Sequence, residues 1–197
     1  MIEVAMASRQ RARAEPAPAT LRRRPGPGDI SSHATRRPYA RFFGVQEDDL
    51  RFRRFDGGLS AAVTRAGFVV GDAVTVLPWD PARDLVMLVE QFRYGPWLRD
   101  DTNPWALEPI AGRIDPGETP QDAARREAQE EAGLALGALH PVARSYPSPG
   151  AVTEYILSYV GLAELGGLTG GIGGFDSEVE DSRAHVLPFA RLMDLVA

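Results

Sequence analysis

Cysteine is absent from the 197 residues, and so is lysine: all 22 basic residues are arginine. Without thiols there is no disulfide framework and no thiolate metal site, so a bound metal must be held by oxygen or by histidine, of which there are three. No apolar run nears the roughly 20 residues needed to cross a bilayer, and no signal-peptide core follows the first basic residues. These absences set the expectation of a cytoplasmic chain without a membrane partner. The length suits one ordinary domain plus a tail.

The charge of -5 is unevenly spread. Residues 1–37 hold eight arginines against Glu3, Glu15 and Asp29, a net of +5, so residues 38–197 carry 14 arginines against 24 acids, a net of -10. An acidic domain repels phosphate unless cations intervene, which argues against nucleic acid as a partner and for a divalent metal. Residues 1–37 are rich in arginine, proline and small residues with no sustained apolar period, and are expected to be a disordered extension. Their prolines interrupt the amphipathic stretch a transit peptide would need.

From Tyr39 onward the chain reads as mixed α/β. The RFRRFDGG stretch ending at Gly58 looks like a strand entering a turn, with another strand over Leu59 to Thr64. Ala73 to Trp79 and Leu85 to Phe92 are apolar, β-branched runs joined by Asp80-Pro81-Ala82-Arg83-Asp84, a hairpin signal. Further strands are expected at Trp105 to Ile110, Val142 to Tyr146 and Tyr155 to Val160. A glycine-rich loop at Gly166 to Gly174 lacks the Gly-x-Gly-x-x-Gly order of a phosphate cradle and reads as a mobile loop. A last strand and helix run from Ala184 to Leu195.

The strongest helix follows a glycine and proline loop. Thr119 is a good N-cap, Pro120 suits the first helical position, Asp122 can complete a capping-box-like exchange, and Gly133 can close the C-terminus in a left-handed conformation. Spacings of three and four place Glu127, Glu130 and Glu131 on one face, where like charges repel by a few tenths of a kcal/mol per pair. A hard divalent cation would reverse that sign, since magnesium favours carboxylate, carbonyl and water oxygens, and the loop before the helix offers the Ala111 carbonyl. Three glutamates alone are more often a solvated acidic face.

The surrounding pattern decides between these. Gly112, Glu118, Arg126, Glu127, Glu130, Glu131 and Gly133 stand at the seven fixed positions of the Nudix signature, a coincidence expected by chance on the order of once in 10⁸ trials. Ala128 is smaller than the usual aliphatic residue at its place. Outside the signature, FVVGDAVTVLPWDPARDLVMLVEQFRYG and SYPSPGAVTEY resemble the ADP-ribose pyrophosphatase branch of that family, with Pro149 fifteen residues beyond Leu134 where the branch has a characteristic proline.

That resemblance implies a Nudix-type α/β/α sandwich with a mixed β-sheet spanning residues 38–197, with 38–66 as N-terminal strands that pair two subunits into a homodimer. It implies magnesium, with manganese as the alternative, at Glu127, Glu131 and the Ala111 carbonyl, and Glu130 in support. Gly112, Glu118, Arg126 and Gly133 are structural in this pattern. The general base is expected at Glu178, with Glu180 as runner-up or accessory ligand, on an acidic loop whose mobility would let it close over substrate. Arg93 is the candidate phosphate clamp. Arg65, Phe42 and Glu154 are candidate substrate contacts, the first two supplied across the dimer. The implied reaction takes ADP-ribose and water to AMP and ribose 5-phosphate. Alternatives are hydrolysis of another nucleoside diphosphate sugar, such as GDP-mannose, and a non-catalytic sensor of ADP-ribose, although sensors typically lose signature glutamates and this chain keeps them. Two departures from the branch are Ala66, where an acidic residue is common, and the end of the chain soon after Leu195, short of the usual final helix.

Overall fold

The computed structural model describes residues 2–15, 20–168, 170–173 and 181–196. The chain divides into two compact units, Met1–Asp72 with Tyr146–Tyr155, and Ala73–Ser145 with Ile156–Ala197. No helix among the described residues is long and apolar enough to cross a membrane.

In the first unit, α1 (Ile2–Ala14) precedes a three-stranded antiparallel sheet of β1 (Ile30–Ala40), β2 (Gly44–Phe52) and β3 (Val63–Val69). The ladder from β1 to β2 shifts register between Arg36 and Tyr39, around Pro38, which has no N–H to contribute. Polar contacts dominate this sheet. Arg36 grips Asp49 with two bonds of 2.7 and 2.8 Å, and Thr64 Oγ1 donates to the same carboxylate. None of the fully buried apolar side chains lies in these strands, so the sheet has little core of its own.

All of α1 and most of β1 fall within the 1–37 segment where the sequence reading expected no element. What orders α1 is distant in sequence. Val4 packs onto Gly71 so closely that a Cβ there would meet its Cγ1. Ser8 and Arg11, one helical turn apart, both donate to the Asp72 carboxylate, Arg11 Nε at 2.7 Å. The Asp72 side chain is only 5% exposed, so losing its cation would leave a charge with too little solvent. Arg11→Ala is therefore expected to cost about 1–3 kcal/mol, whereas Arg36→Ala, at a solvent-screened pair, should have a far smaller effect. Shifts of the urea midpoint at constant m measure both, and equal effects would contradict the assignment.

Among the described residues, the second unit is built on a mixed eight-stranded sheet. β4 (Ala73–Asp80) and β5 (Leu85–Phe92) form the expected hairpin, with Asp84 in the left-handed region at φ 52°. They pair only beside the turn, at Trp79↔Val86 and Asp80↔Leu85. Where they splay, β6 (Trp105–Glu108) pairs with β5 and β7 (Ile110–Arg113) with β4. The single strand expected over Trp105 to Ile110 is thus two, broken at Pro109, whose missing N–H ends one ladder as the chain crosses to the other. α2 (Tyr94–Leu98) lies between β5 and β6.

β8 (Leu139–Ser145) and β9 (Ile156–Leu162) extend the β4 side, where β9 is the parallel neighbour of β4. β10 (Ile172–Gly173) and β11 (Ser182–Pro188) extend the β5 side, and α4 (Phe189–Val196) follows. The mixed sheet with flanking helices is the α/β architecture expected. Its core is lined by Val74, Val76, Val86, Val89, Ile110 and Ile114, and by a cluster of Met87, Leu134, Leu165 and Ala184.

α3 (Pro120–Ala132) packs against β4, β7 and β11. Its ends form as the sequence reading required. The Asp122 N–H donates to Thr119 Oγ1 at 3.1 Å, and Gly133 adopts φ 60° while it and Leu134 donate to Gln129 and Ala128 carbonyls. Ala123, Ala124 and Ala128 are fully buried. The small Ala128 is thus a packing residue of the close approach between helix and sheet.

Candidate active site

The carboxylates of α3 meet the backbone of β7. The Glu127 carboxylate lies against Gly112, since a Cβ built there would stand 1.8 Å from Oε1 and 1.9 Å from Cδ. Only a residue without a side chain permits that approach. One residue back, the Ala111 N–H donates to Glu131 Oε2 at 3.4 Å, while Gln91 Nε2 on β5 donates to Glu131 Oε1 at 3.4 Å. Glu131 is 4% exposed, and burial, followed by the charge of Glu127, pushes its carboxyl up to about 7.

Arg126 organises the other side. Its guanidinium binds Glu118 through Nε and Nη2 at 3.0 and 3.1 Å, the Arg113 carbonyl at 2.9 Å, Glu127 Oε1 at 2.7 Å and Glu130 Oε2 at 2.9 Å. Glu118 also accepts from the Asp115 N–H, and the guanidinium holds its carboxyl below the usual carboxylate range. Glu118 thereby ties the loop to the helix. Arg126 Nη1 thus holds both Glu127 and Glu130, and of the two it is Glu127 whose charge bears on the buried Glu131. Among the described residues no three acidic or histidine side chains converge as a ready-made metal cage.

Two carboxylates held together by packing, one of them buried, have the chemistry of a hard-cation cradle, and the Gly112 contact shows that space was cleared for the nearer one. The folded-state pKa of Glu131, about 7, lies above its ordinary value of 4.5, so the folded state holds the proton more tightly. This group's stabilisation is complete below about pH 4.5 and is lost as pH rises to about 7, with a loss of about 3 kcal/mol. In chelator, wild type is expected to lose more melting temperature between pH 5 and 8 than Glu131→Gln, and manganese should restore most of it at pH 8. Parallel pH profiles for the two proteins would exclude the strained carboxylate.

Arg93, just past β5, is held by Glu108 of β6 through three contacts of 2.7 to 3.1 Å, and its charge lowers the Glu131 pKa. Arg93 therefore belongs to the same electrostatic cluster as the helix carboxylates. Arg65 on β3, Phe42 in the turn between β1 and β2, and Glu154 before β9 belong to the first unit. Arg65 stands opposite Asp48, and Phe42 is exposed with its ring 6.5 Å from that of Phe43. Glu178 and Glu180 lie outside the described residues.

The sequence reading missed Gln91, Glu108 and Ser182. Gln91 left a signal, because the polar pair Glu90-Gln91 interrupts the apolar run LVMLVEQF. Glu108 left none apart from its place in a short strand. A small cavity lined by Glu90, Asn103, Trp105, Asp181 and Arg183 opens beside the same strands.

The ADP-ribose pyrophosphatase of Escherichia coli strain K12 is 41% identical over 163 residues, 82% of this chain and 77% of that protein. The GDP-mannose pyrophosphatase of Salmonella paratyphi A is 32% identical over 129 residues, 64% of each chain. A crystal structure of an ADP compounds hydrolase superposes with a TM-score of 0.64 at 23% identity, covering 88% of this chain and 85% of the other, which shows a shared fold. Residues 70–195 match the NUDIX domain, a span holding β7, α3 and every contact made by Glu127 and Glu131 described above, and the chain belongs to the NUDIX domain family.

Proposed function

We propose that the chain is an ADP-ribose pyrophosphatase, hydrolysing ADP-ribose to AMP and ribose 5-phosphate with magnesium. The observation that carries this reading is the pair Glu127 and Glu131, one laid on Gly112 and the other buried, in a chain 41% identical to an enzyme of that name. Glu127, Glu131 and the Ala111 carbonyl would hold the cation, with Glu130 supporting them through Arg126. Magnesium, or manganese in its place, would neutralise pyrophosphate charge and acidify a water molecule when bound.

The remaining work falls to the chain's own groups. Arg93, oriented by Glu108, presents a guanidinium to a phosphate, and its planar fork suits two oxygens at once. Glu178 removes a proton from the attacking water, with Glu180 as its alternate. A new phosphorus–oxygen bond forms as the bridging one breaks, and the electron pair leaves with the departing phosphate. Arg65, Phe42 and Glu154 contact the rest of the substrate, Arg65 and Phe42 from the second subunit of a homodimer. What supports the dimer is the sheet of β1 to β3, which has no buried apolar side chain of its own and so lacks the hydrophobic face that independent stability requires. The cysteine-free composition suits a cytoplasmic enzyme.

The full chain should release AMP and ribose 5-phosphate from ADP-ribose in magnesium, with a higher kcat/KM than on GDP-mannose. Preference for GDP-mannose would replace the substrate while keeping the chemistry. Tight ADP-ribose binding without turnover in either metal would replace the enzyme with a sensor.

A further inference from the structure

Gln91 and Ser182 stand directly opposite each other in the β5–β11 ladder, so their side chains share a face of the sheet. Both are buried, at 7% and 3% exposure. A buried amide costs free energy unless it is hydrogen-bonded, and an aliphatic residue would suit the apolar run of β5 better. The structure gives both side chains the same destination. Gln91 Nε2 donates to the Glu131 carboxylate at 3.4 Å, and Ser182 Oγ donates to the Glu131 main-chain oxygen at 3.1 Å.

These contacts differ in kind. The Glu131 carbonyl lies in the last turn of α3, where main-chain oxygens lack helical donors, so the Ser182 hydroxyl fills a place that water would otherwise take. It fixes where the helix end sits. Gln91 shares the carboxylate with the Ala111 N–H, one donor for each oxygen. Together they fix which way the carboxylate faces, against the repulsion of Glu127. One residue is thus pinned by side chain and by main chain from two neighbouring strands.

We propose that Gln91 and Ser182 are positioning residues for Glu131, Gln91 setting the direction of the carboxylate and Ser182 the height of the helix end. This rests on the reading of Glu131 as a cation-holding group. Partners that orient ligand groups in this way typically change metal affinity by about 10–100-fold when removed. Gln91→Leu keeps the volume and deletes the donor. Ser182→Ala deletes one oxygen.

The test titrates Mn2+ alone into the full-length wild type, Gln91→Leu, Ser182→Ala, Glu131→Gln and the Gln91→Leu/Glu131→Gln double variant by calorimetry. Folding is checked by circular dichroism, and kcat and KM on ADP-ribose are measured separately. Gln91→Leu is expected to weaken Mn2+ by about tenfold and to lower kcat with little change in KM. In the Glu131→Gln background the same substitution should have no further effect, because its target is gone. Should Gln91→Leu fail to fold, Ser182→Ala decides the matter, with a loss of Mn2+ affinity in the same direction. Unchanged affinity in the folded variants, or an equal loss with and without Glu131, would overturn the positioning role. If Glu131→Gln itself binds Mn2+ like wild type, it is the cation assignment that fails.

Discussion

Glu127→Gln and Glu131→Gln are each expected to lower turnover of ADP-ribose by about 10³-fold while leaving the cation-free protein as stable as wild type or more so. The two effects have one origin. Without a cation, Glu131 is buried beside Glu127, and that burial and charge hold its carboxyl up to about 7. Glutamine keeps the shape, and at position 127 it can still accept the bond from Arg126 Nη1, 2.7 Å away in wild type. It removes the repulsion together with the charge that a cation needs. Steady-state kinetics in magnesium and melting curves in chelator read the two halves. A variant that is both inactive and several degrees less stable would recast these glutamates as structural.

The second large effect is expected at Gly112, which touches no substrate in the proposed reaction. Gly112→Ala places a methyl group where the Glu127 carboxylate now lies, 1.8 Å from its nearer oxygen. Glu127 ends in a flexible side chain, so the carboxylate moves and the fold survives. A displacement of about 1 Å of a group that would hold the cation at the reacting centre can cost about 10²-fold in rate. The variant should keep its circular dichroism spectrum and lose kcat by that order, with weaker manganese binding. Wild-type kinetics in a folded Gly112→Ala protein would show that Glu127 is free to sit elsewhere.

The elements that could be read from the sequence were those whose causes are local. Thr119, Pro120 and Gly133 define α3 without reference to the rest of the chain, and the structure uses each in its expected role. The hairpin of β4 and β5 was equally legible from its apolar runs and its turn residues. By contrast, α1 depends on Gly71 and Asp72, some sixty residues away, and nothing in its own weak periodicity announces that contact.

The site divides the same way. Glu127, Glu130 and Glu131 share a helix face by spacing alone, but spacing does not show that Arg126 Nη1 holds Glu127 and Glu130 together, or that the charge of Glu127 bears on a buried Glu131. Nor does it show that a side chain at position 112 would displace the Glu127 carboxylate, which requires the strand and the helix to be seen in contact. Gln91 left only the polar break in the apolar run of β5, and Ser182 left nothing, because their partner lies on an element that meets them only in the folded chain. Phe42, Arg65 and Glu154 rest on family resemblance and belong to the other compact unit.

The most direct test of the cation cradle is electron paramagnetic resonance of Mn2+ titrated into the full chain without substrate, with magnesium as competitor. Saturable binding that magnesium displaces, and that Glu127→Gln weakens at least tenfold, is the expected result. A wild-type protein that leaves the Mn2+ spectrum free, or a Glu127→Gln protein that binds it equally well, would contradict the account.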